Sequence, residues 1–338
     1  MNKDTNGGSG RHEGVAAQRK IVRAAVVQAA PAPFDSVGTL ARVEQWVHRA
    51  AGKGVDLVVF PEAFVGGYPK GTTFGGVFGD RTATGREEFA RYWRGAVNVP
   101  GPETTKLGQI AAEHRLHLVV GVVEREQGTL YCTVLFFSDM GELLGKRRKL
   151  MPTGAERMVW GFGDGSTLQV HDTSLGKLGA VICWENMMPA LRLAMYSQGV
   201  EIYCAPTADG RESHHATMRH IAMEGRCFVL ASNQYTRVED FPADHPTPYG
   251  DEPGTVVSRG GSSIVDPLGT VLAGPVYDAE AMLVADLDVS LISRARYDFD
   301  PVGHYARPDV FALHVDTSPR SAVVASSPWS SPTTSTPG

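Results

Sequence analysis

The sequence has 338 residues, of which 42% are hydrophobic and 20% are charged, and its formal net charge at pH 7 is -5. This composition is typical of a soluble globular protein with one large or two medium-sized domains, and the negative charge argues against nucleic-acid binding. No apolar run approaches the roughly 20 residues that a membrane-spanning helix needs, so we expect no membrane partner.

Both ends of the chain have the composition of disordered segments. Residues 1–19 are polar and Gly-rich, without the apolar core of a secretory signal, and residues 316–338 are rich in Ser, Pro and Thr. We predict a disordered N-terminal extension, a disordered tail, and one domain over residues 20–315. The four cysteines form no Cys-x-x-Cys pair, which favours free thiols, a cytoplasmic location, and neither a disulfide framework nor structural zinc.

The first half of the domain begins with a strand–helix–strand unit. Strands are predicted over residues 21–30 and 55–60, with a helix between them that Asp35 or Ser36 caps, and such units build parallel or mixed sheets. A Gly-rich loop, 65–84, follows, and loops of this length are often functional. After it, hydrophobic periodicity predicts two helices and the three strands of a meander, over 86–95, 103–115, 116–124, 129–137 and 142–150.

The second half repeats the strand–helix–strand pattern after an irregular loop. The predicted elements are strands 168–170 and 178–182, helix 190–198, strand 201–205, helix 213–226, strand 227–232, loop 235–257, hairpin strands 261–265 and 270–273, strand 281–287 and helix 289–296. These strands outnumber what one doubly wound sheet carries. We therefore predict two sheets packed face to face, each covered by helices.

Cys183 lies at the junction between a predicted strand and a predicted helix, with Asn186 as a candidate N-cap. Unpaired N–H groups at such a junction favour an anion, and a helix N-terminus or a nearby cation lowers the pKa of a thiol. A buried structural cysteine is the commoner case. Position alone therefore leaves a nucleophile and a packing residue equally open, whereas Cys132, Cys204 and Cys227 are expected to tolerate substitution.

Other candidate site residues also follow predicted strands, where active sites of α/β sheets collect. Glu62 ends strand 55–60 and can accept a thiol proton and later activate water, although a salt-bridged glutamate is the alternative. An inward-pointing Lys149 can stabilise an anion, whereas Lys146–Arg148 are expected to form a solvated face or a strand edge. Glu156 can pair with Lys149 and hold it, or it can be an exposed loop residue.

Three histidines, His214, His215 and His220, lie on one predicted helix. No carboxylate or cysteine near them completes a set of metal ligands, so we predict no metal site. A cysteine–histidine hydrolase needs a histidine partner, but Glu62 and Lys149 account for the site without one.

These residues together resemble a known family. Pro61-Glu62, Arg148-Lys149, Glu156 and Cys183-Trp-Glu-Asn186 match the nitrilase superfamily of carbon–nitrogen hydrolases in order and spacing, along most of residues 20–315. The resemblance implies an α/β fold, a four-layer αββα sandwich of two mixed sheets, without a cofactor. It implies Glu62 as base, Lys149 as oxyanion stabiliser, Cys183 as nucleophile and Glu156 as supporting carboxylate. It also implies a homo-oligomer, a dimer or a larger spiral.

The branch of the superfamily is indicated by the residues after the cysteine. Cys-Trp-Glu-Asn followed by Met-Met-Pro looks like the true nitrilases, and four further stretches look like the same branch: 62–70, 163–166, 218–226 and 299–308. This resemblance implies hydrolysis of an organic nitrile to an acid and ammonia through thioimidate and thioester intermediates on Cys183. Trp184 is expected to contribute its backbone N–H, or its bulk, beside the reacting carbon.

Two alternatives stay open at this point. An aliphatic amidase or a carbamoylase would use the same Glu-Lys-Cys site, and a non-catalytic interaction module would keep the fold alone. The preferred nitrile is not readable, because the loops 65–84 and 235–257 that shape the pocket carry no sequence code for it.

Overall fold

The computed structural model describes residues 20–245 and 247–320. The extension predicted to be disordered, 1–19, lies outside these residues, as does most of the predicted tail, of which 316–320 are described and form neither helix nor strand. Within the described part of the chain, no helix is both long enough and apolar enough to cross a membrane.

The elements follow the predicted order with shifted ends. The described helices are α1 Ser36–Ala51, α2 Ala83–Arg94, α3 Pro102–His114, α4 Pro189–Ser197, α5 Glu212–Gly225 and α6 Ser290–Ala295. The described strands are β1 Ile21–Gln28, β2 Leu57–Val59, β3 Gly76–Val77, β4 Asp80–Arg81, β5 His117–Glu126, β6 Thr129–Phe137, β7 Leu143–Arg148, β8 His171–Thr173, β9 Gly176–Ala180, β10 Ile202–Thr207, β11 Phe228–Asn233, β12 Tyr235–Arg237, β13 Val256–Val265, β14 Val271–Tyr277 and β15 Ala281–Asp288.

Two mixed sheets form the centre of the described domain. The first has the strand order β15-β1-β2-β5-β6-β7, and the second has the order β12-β13-β11-β10-β9-β8, with β14 paired to β13. Strands β1, β2 and β5 are parallel in the first sheet, as are β9, β10 and β11 in the second. Each parallel group comes from a strand–helix–strand region, because parallel neighbours need a crossover connection.

Three apolar layers show how the sheets are stacked. Strand β1 alternates between two of them: Ala24 and Val26 pack in a core shared with strands of the second sheet, and Ala25 and Val27 pack in a core shared with α1 and α3. A third core joins the second sheet to α4 and α5. The order is therefore helix, sheet, sheet, helix, and the predicted αββα sandwich is confirmed.

Some predicted local elements were wrong. Residues 168–170 are not a strand; a 3-10 helix, Gly165–Thr167, precedes them and β8 begins at His171. Leu168 is nevertheless buried, which explains the error, because burial makes a loop residue apolar as readily as a strand residue. The two long loops are also partly ordered. The first contains the β3–β4 hairpin, and the second contains β12.

Candidate active site

Cys183 lies on a strained turn directly after the second sheet. It follows β9 by three residues, begins the 3-10 helix Cys183–Met187, and has a φ of 53°, which non-glycine residues rarely adopt. Only 4% of its surface is exposed. Such strain persists where the surrounding structure holds the residue, and it is concentrated at functional sites.

Asn186 holds this turn instead of capping the next helix. Its Nδ2 donates to the carbonyl oxygens of Cys183 at 2.8 Å and Val181 at 3.1 Å. Helix α4 begins at Pro189 with Met188 as its N-cap. The prediction of Asn186 as N-cap was therefore wrong, since short amide side chains also bond to backbone within their own turn.

Lys149 is the centre of the charged cluster. It directly follows β7, is 1% exposed, and donates from Nζ to Glu62 Oε1 and to Glu156 Oε2, at 2.6 Å in each case. Tyr68 donates its hydroxyl to Glu156 Oε1 at 2.6 Å, and the backbone N–H of Thr153 donates to Oε2 at 2.6 Å. Glu156 is thus a buried partner of the lysine, and its exposed-loop alternative is excluded.

Glu62 is fully buried where the chain leaves β2. Its Oε1 accepts from Lys149 and, at 3.5 Å, from the thiol of Cys132, while its Oε2 has no hydrogen-bond partner among the described residues. Gln234 Nε2 donates to the main-chain oxygen of Glu62 at 2.7 Å. A Cβ on Gly121 would lie 2.2 Å from Pro61 O, so only glycine permits the neighbouring strand to approach this turn.

Burial dominates the electrostatics of the cluster. It raises the pKa of the Glu62 carboxyl above its ordinary value, although the charge of Lys149 opposes the effect. Burial alone would lower the pKa of Lys149, but Glu62 and Cys183 hold it well above its ordinary value. Burial, followed by the charge of Glu62, also raises the pKa of the Cys183 thiol. The charge of Lys149 lowers the thiol pKa as expected, but burial and Glu62 outweigh it, so the net shift is upward.

The second sheet contributes Thr207 to the same site. Thr207 ends β10, which lies beside β9, and it donates its hydroxyl to Cys183 Sγ at 3.3 Å. Sequence reasoning missed this residue, and it also missed Tyr68 and Cys132. Thr207 carried a usable signal, because it is a polar residue at the carboxyl end of an apolar strand.

The Trp184 indole is partly exposed and is held by surface groups. The residue is 38% exposed, its Nε1 donates to Asp209 Oδ2 at 2.8 Å, and the Arg211 guanidinium lies 4.5 Å from its ring. The indole therefore lies at the surface beside Asp209 and Arg211. The expected contribution of Trp184 to the site, through its backbone N–H or its bulk, stays a prediction.

The basic residues before Lys149 are paired with carboxylates. Arg147 is fully buried and donates to Glu185, while Lys146 and Arg148 both donate to the buried carboxylate of Glu124. The strand-edge alternative is correct, since these residues lie on β7 at the edge of the first sheet. The solvated-face alternative is wrong, because their acidic partners lie 22 to 38 residues away and are invisible in a local charge run.

The two long loops meet at a cleft of about 1000 Å³, lined by residues of 71–94 and of 244–248. Arg91 and Asp244 form an ion pair across it at 3.0 Å. None of the four clustered residues, Glu62, Lys149, Glu156 and Cys183, lines this cleft.

The three histidines predicted on one helix lie on α5. Over residues 20–245 and 247–320, no cluster of His, Cys, Asp and Glu could hold a metal ion.

Comparison with known proteins identifies the family. The carbon–nitrogen hydrolase family matches residues 23–297. The chain belongs to this family. The family membership inferred from the Glu62, Lys149, Glu156 and Cys183 motifs is thereby confirmed.

Similar curated members of the family place the chain in its nitrilase branch. It is 59% identical over 302 residues to the aliphatic nitrilase of Sinorhizobium fredii, covering 89% of this chain and 98% of that one. It is 56% identical over 300 residues to the bifunctional nitrilase/nitrile hydratase NIT4B of Nicotiana tabacum, covering 87% and 86%.

Solved family structures agree in fold. Saccharomyces cerevisiae Nit3, a member of branch 10 of the nitrilase superfamily, superposes with a TM-score of 0.64 at 21% identity and covers 85% of this chain and 97% of its own. The carbon–nitrogen hydrolase of Helicobacter pylori G27 gives a TM-score of 0.68 at 21% identity, with 86% and 97% covered. At this identity the likeness concerns the fold alone.

Proposed function

We propose that this protein is a nitrilase that hydrolyses an organic nitrile to a carboxylic acid and ammonia through covalent intermediates on Cys183. The observation that carries the chemistry is the position of Lys149, whose Nζ lies 2.6 Å from both Glu62 and Glu156. Relatives at 59% and 56% identity that are named nitrilases support nitriles as the substrate class.

The first step forms a carbon–sulfur bond. Cys183 Sγ attacks the nitrile carbon while its proton passes to Glu62, whose raised pKa makes it a stronger base than an ordinary carboxylate. The nitrile nitrogen, which gains an electron pair from the carbon–nitrogen bond, then takes that proton from Glu62. The charge developing there is stabilised by the Lys149 ammonium and by the backbone N–H of Trp184. The product is a thioimidate, in which one difficult hydrolysis has been divided into easier steps.

Two water molecules complete the reaction. Glu62 removes a proton from the first water, which adds to the thioimidate carbon, and the nitrogen takes up protons and leaves as ammonia. A thioester remains, and a second water attacks it, releasing the acid and returning the proton to the sulfur. Glu156 keeps Lys149 charged and oriented throughout, because it accepts a second hydrogen bond from the ammonium beside that to Glu62.

Amide release is a second outcome of the same intermediate. After the first water adds, breaking the carbon–sulfur bond instead of the carbon–nitrogen bond frees an amide and restores the thiol. A relative at 56% identity is named a bifunctional nitrilase/nitrile hydratase, which favours a measurable amide fraction. The ratio of amide to acid, measured by chromatography, tests this branching.

The test of the main proposal compares matched nitriles and amides. Aliphatic, aromatic and arylacetic nitriles are supplied beside their amides, and kcat/KM is measured by ammonia release, with Cys183→Ala as control. We expect acids from nitriles and poor turnover of amides. Faster hydrolysis of amides than of every nitrile would favour the amidase or carbamoylase alternative. Absence of turnover with an unreactive Cys183 would favour the interaction module.

The assembly proposed from the family is a homo-oligomer, at least a dimer. The described C-terminal stretch supports it, because it exposes a series of large apolar side chains: Tyr297, Tyr305, Val310, Phe311, Leu313 and Val315. Such a surface is typical of an interface, and a second copy of the chain is the proposed occupant. Light scattering at micromolar concentration tests this, and a monomer would contradict it.

A further inference from the structure

Cys132 touches the carboxylate that the proposed reaction uses as its base. It lies on β6, where alternation places Leu130, Cys132 and Val134 in the core between the two sheets, and it is 1% exposed. Its Sγ donates to Glu62 Oε1 at 3.5 Å. Its main-chain oxygen accepts from the backbone N–H of Lys149 at 2.8 Å. One residue therefore contacts both members of the Glu62–Lys149 pair.

The two oxygens of Glu62 have different surroundings as a result. Oε1 accepts hydrogen bonds from the Lys149 ammonium at 2.6 Å and from the Cys132 thiol at 3.5 Å. Oε2 has no hydrogen-bond partner among the described residues. The Cys183 thiol approaches the same carboxylate closely enough to oppose the rise in its pKa. A carboxylate held at one oxygen by two donors cannot rotate freely, so its other oxygen keeps one direction.

We propose that Cys132 is a positioning residue of this active site, whose S–H donation holds Glu62 Oε1 beside Lys149 and keeps Oε2 free to take the proton of Cys183. This inference rests on the proposed function, in which Glu62 is the base. Burial raises the pKa of the Cys132 thiol well above its ordinary value, so the thiol remains a donor throughout the working pH range.

Removing the donor has a predictable effect on pH dependence. The charged and titratable groups around Glu62 are Lys149, Glu156, Cys183 and Cys132, with the Tyr68 hydroxyl bonded to Glu156. A hydrogen bond to the ionised carboxylate favours the charged form, so its loss raises the pKa of Glu62. Glu62 is then protonated at higher pH, and the acid limb of the kcat/KM profile moves to higher pH.

The experiment compares Cys132→Ala with Cys204→Ala. Cys204 is an equally buried cysteine in the same core, on β10, so its variant controls for the cavity. The sequence predicted that Cys132 tolerates substitution, but its contact with Glu62 changes this expectation. We expect Cys132→Ala to lower kcat about tenfold with KM nearly unchanged, equivalent to about 1.4 kcal/mol of transition-state stabilisation. Its acid limb should rise by about half a pH unit or more, given that a thiol is a weak donor. Cys204→Ala should match the unmodified protein in both readouts.

A third variant, Cys132→Ser, keeps a donor with a shorter reach. We expect it to recover kcat to within about threefold of the unmodified protein and to restore the acid limb, because it conserves the hydrogen bond to the charged group. The proposal would be overturned if Cys132→Ala had the same kcat and pH profile as Cys204→Ala. It would also be overturned if kcat fell as far in Cys132→Ser as in Cys132→Ala, since packing alone would then explain the loss of activity.

Protein stability and the role of Glu62 are checked separately. If Cys132→Ala does not fold, Cys132→Val, an apolar variant that fills the cavity and has no donor, replaces it, with the same expected loss relative to Cys132→Ser. Glu62→Gln tests whether Glu62 is the base, independently of Cys132. An inactive Glu62→Gln with an unchanged pH profile in Cys132→Ala rejects the positioning role alone, whereas an active Glu62→Gln rejects the proposed function itself.

Discussion

Arg147 and Glu185 form a buried ion pair, in which Nη2 donates to Oε1 at 3.0 Å and neither side chain is more than 1% exposed. The same Glu185 oxygen accepts the backbone N–H of Leu150 at 2.6 Å. The pair joins the strand that precedes Lys149 to the 3-10 helix that begins at Cys183. It therefore fixes the distance between the two sheets at the site itself.

Arg147→Met should destabilise the protein strongly. Removing one partner leaves the charge of Glu185 buried without its counterion, which costs about 3–5 kcal/mol for such pairs. Urea unfolding measures the change. Arg23→Met is the matched control, because the Arg23–Asp286 pair is about half exposed and such pairs contribute about 0–1 kcal/mol. Equal losses in both variants would show that the buried pair is not a structural link.

Lys149→Met should fold and lose at least about 100- to 1000-fold in kcat, the usual cost of one oxyanion donor. Arg148→Met should keep activity within about threefold, since Arg148 lies on the other face of β7 with Glu124. Ammonia release and circular dichroism are measured on both variants. Similar losses in the two would contradict the assignment of Lys149 to the reacting carbon.

Cys183→Ala should abolish turnover while the fold stays intact. The sulfur forms the covalent intermediates, and no neighbouring group in the described site replaces it. Circular dichroism should show an intact fold, because the substitution removes a single heavy atom; the small cavity left at this buried position lowers the unfolding temperature only modestly. Activity above background in a folded, metal-free preparation would reject the nucleophile.

The pH dependence of kcat/KM should show an acid limb above the ordinary carboxyl range. Glu62 must be ionised to act as base, and burial raises its pKa, so activity falls as pH drops through that raised value. Glu62→Gln should show no measurable activity at any pH, because it lacks the group that titrates in this limb. A limb at or below about pH 4, near the value of an exposed glutamate, would contradict the burial argument.

Local patterns were sufficient for most of the fold and for the identity of the clustered residues. The apolar runs of β1, β10 and β11 are buried on both faces, and runs of this kind are readable without knowledge of their neighbours. Glu62 and Cys183 were found because the carboxyl ends of parallel strands converge. In each case the signal lies within about ten residues of sequence.

Tertiary structure alone decided the protonation and partners of these residues. The sequence indicated that a nearby cation lowers the pKa of the Cys183 thiol, and Lys149 does so, but burial at the junction of two sheets outweighs it and raises the pKa overall, because desolvation depends on all surrounding elements. The environments of Arg147 and Cys132 depend on Glu185 and Glu62, which lie 38 and 70 residues away. No local pattern encodes such contacts, since the packing of the two sheets creates them.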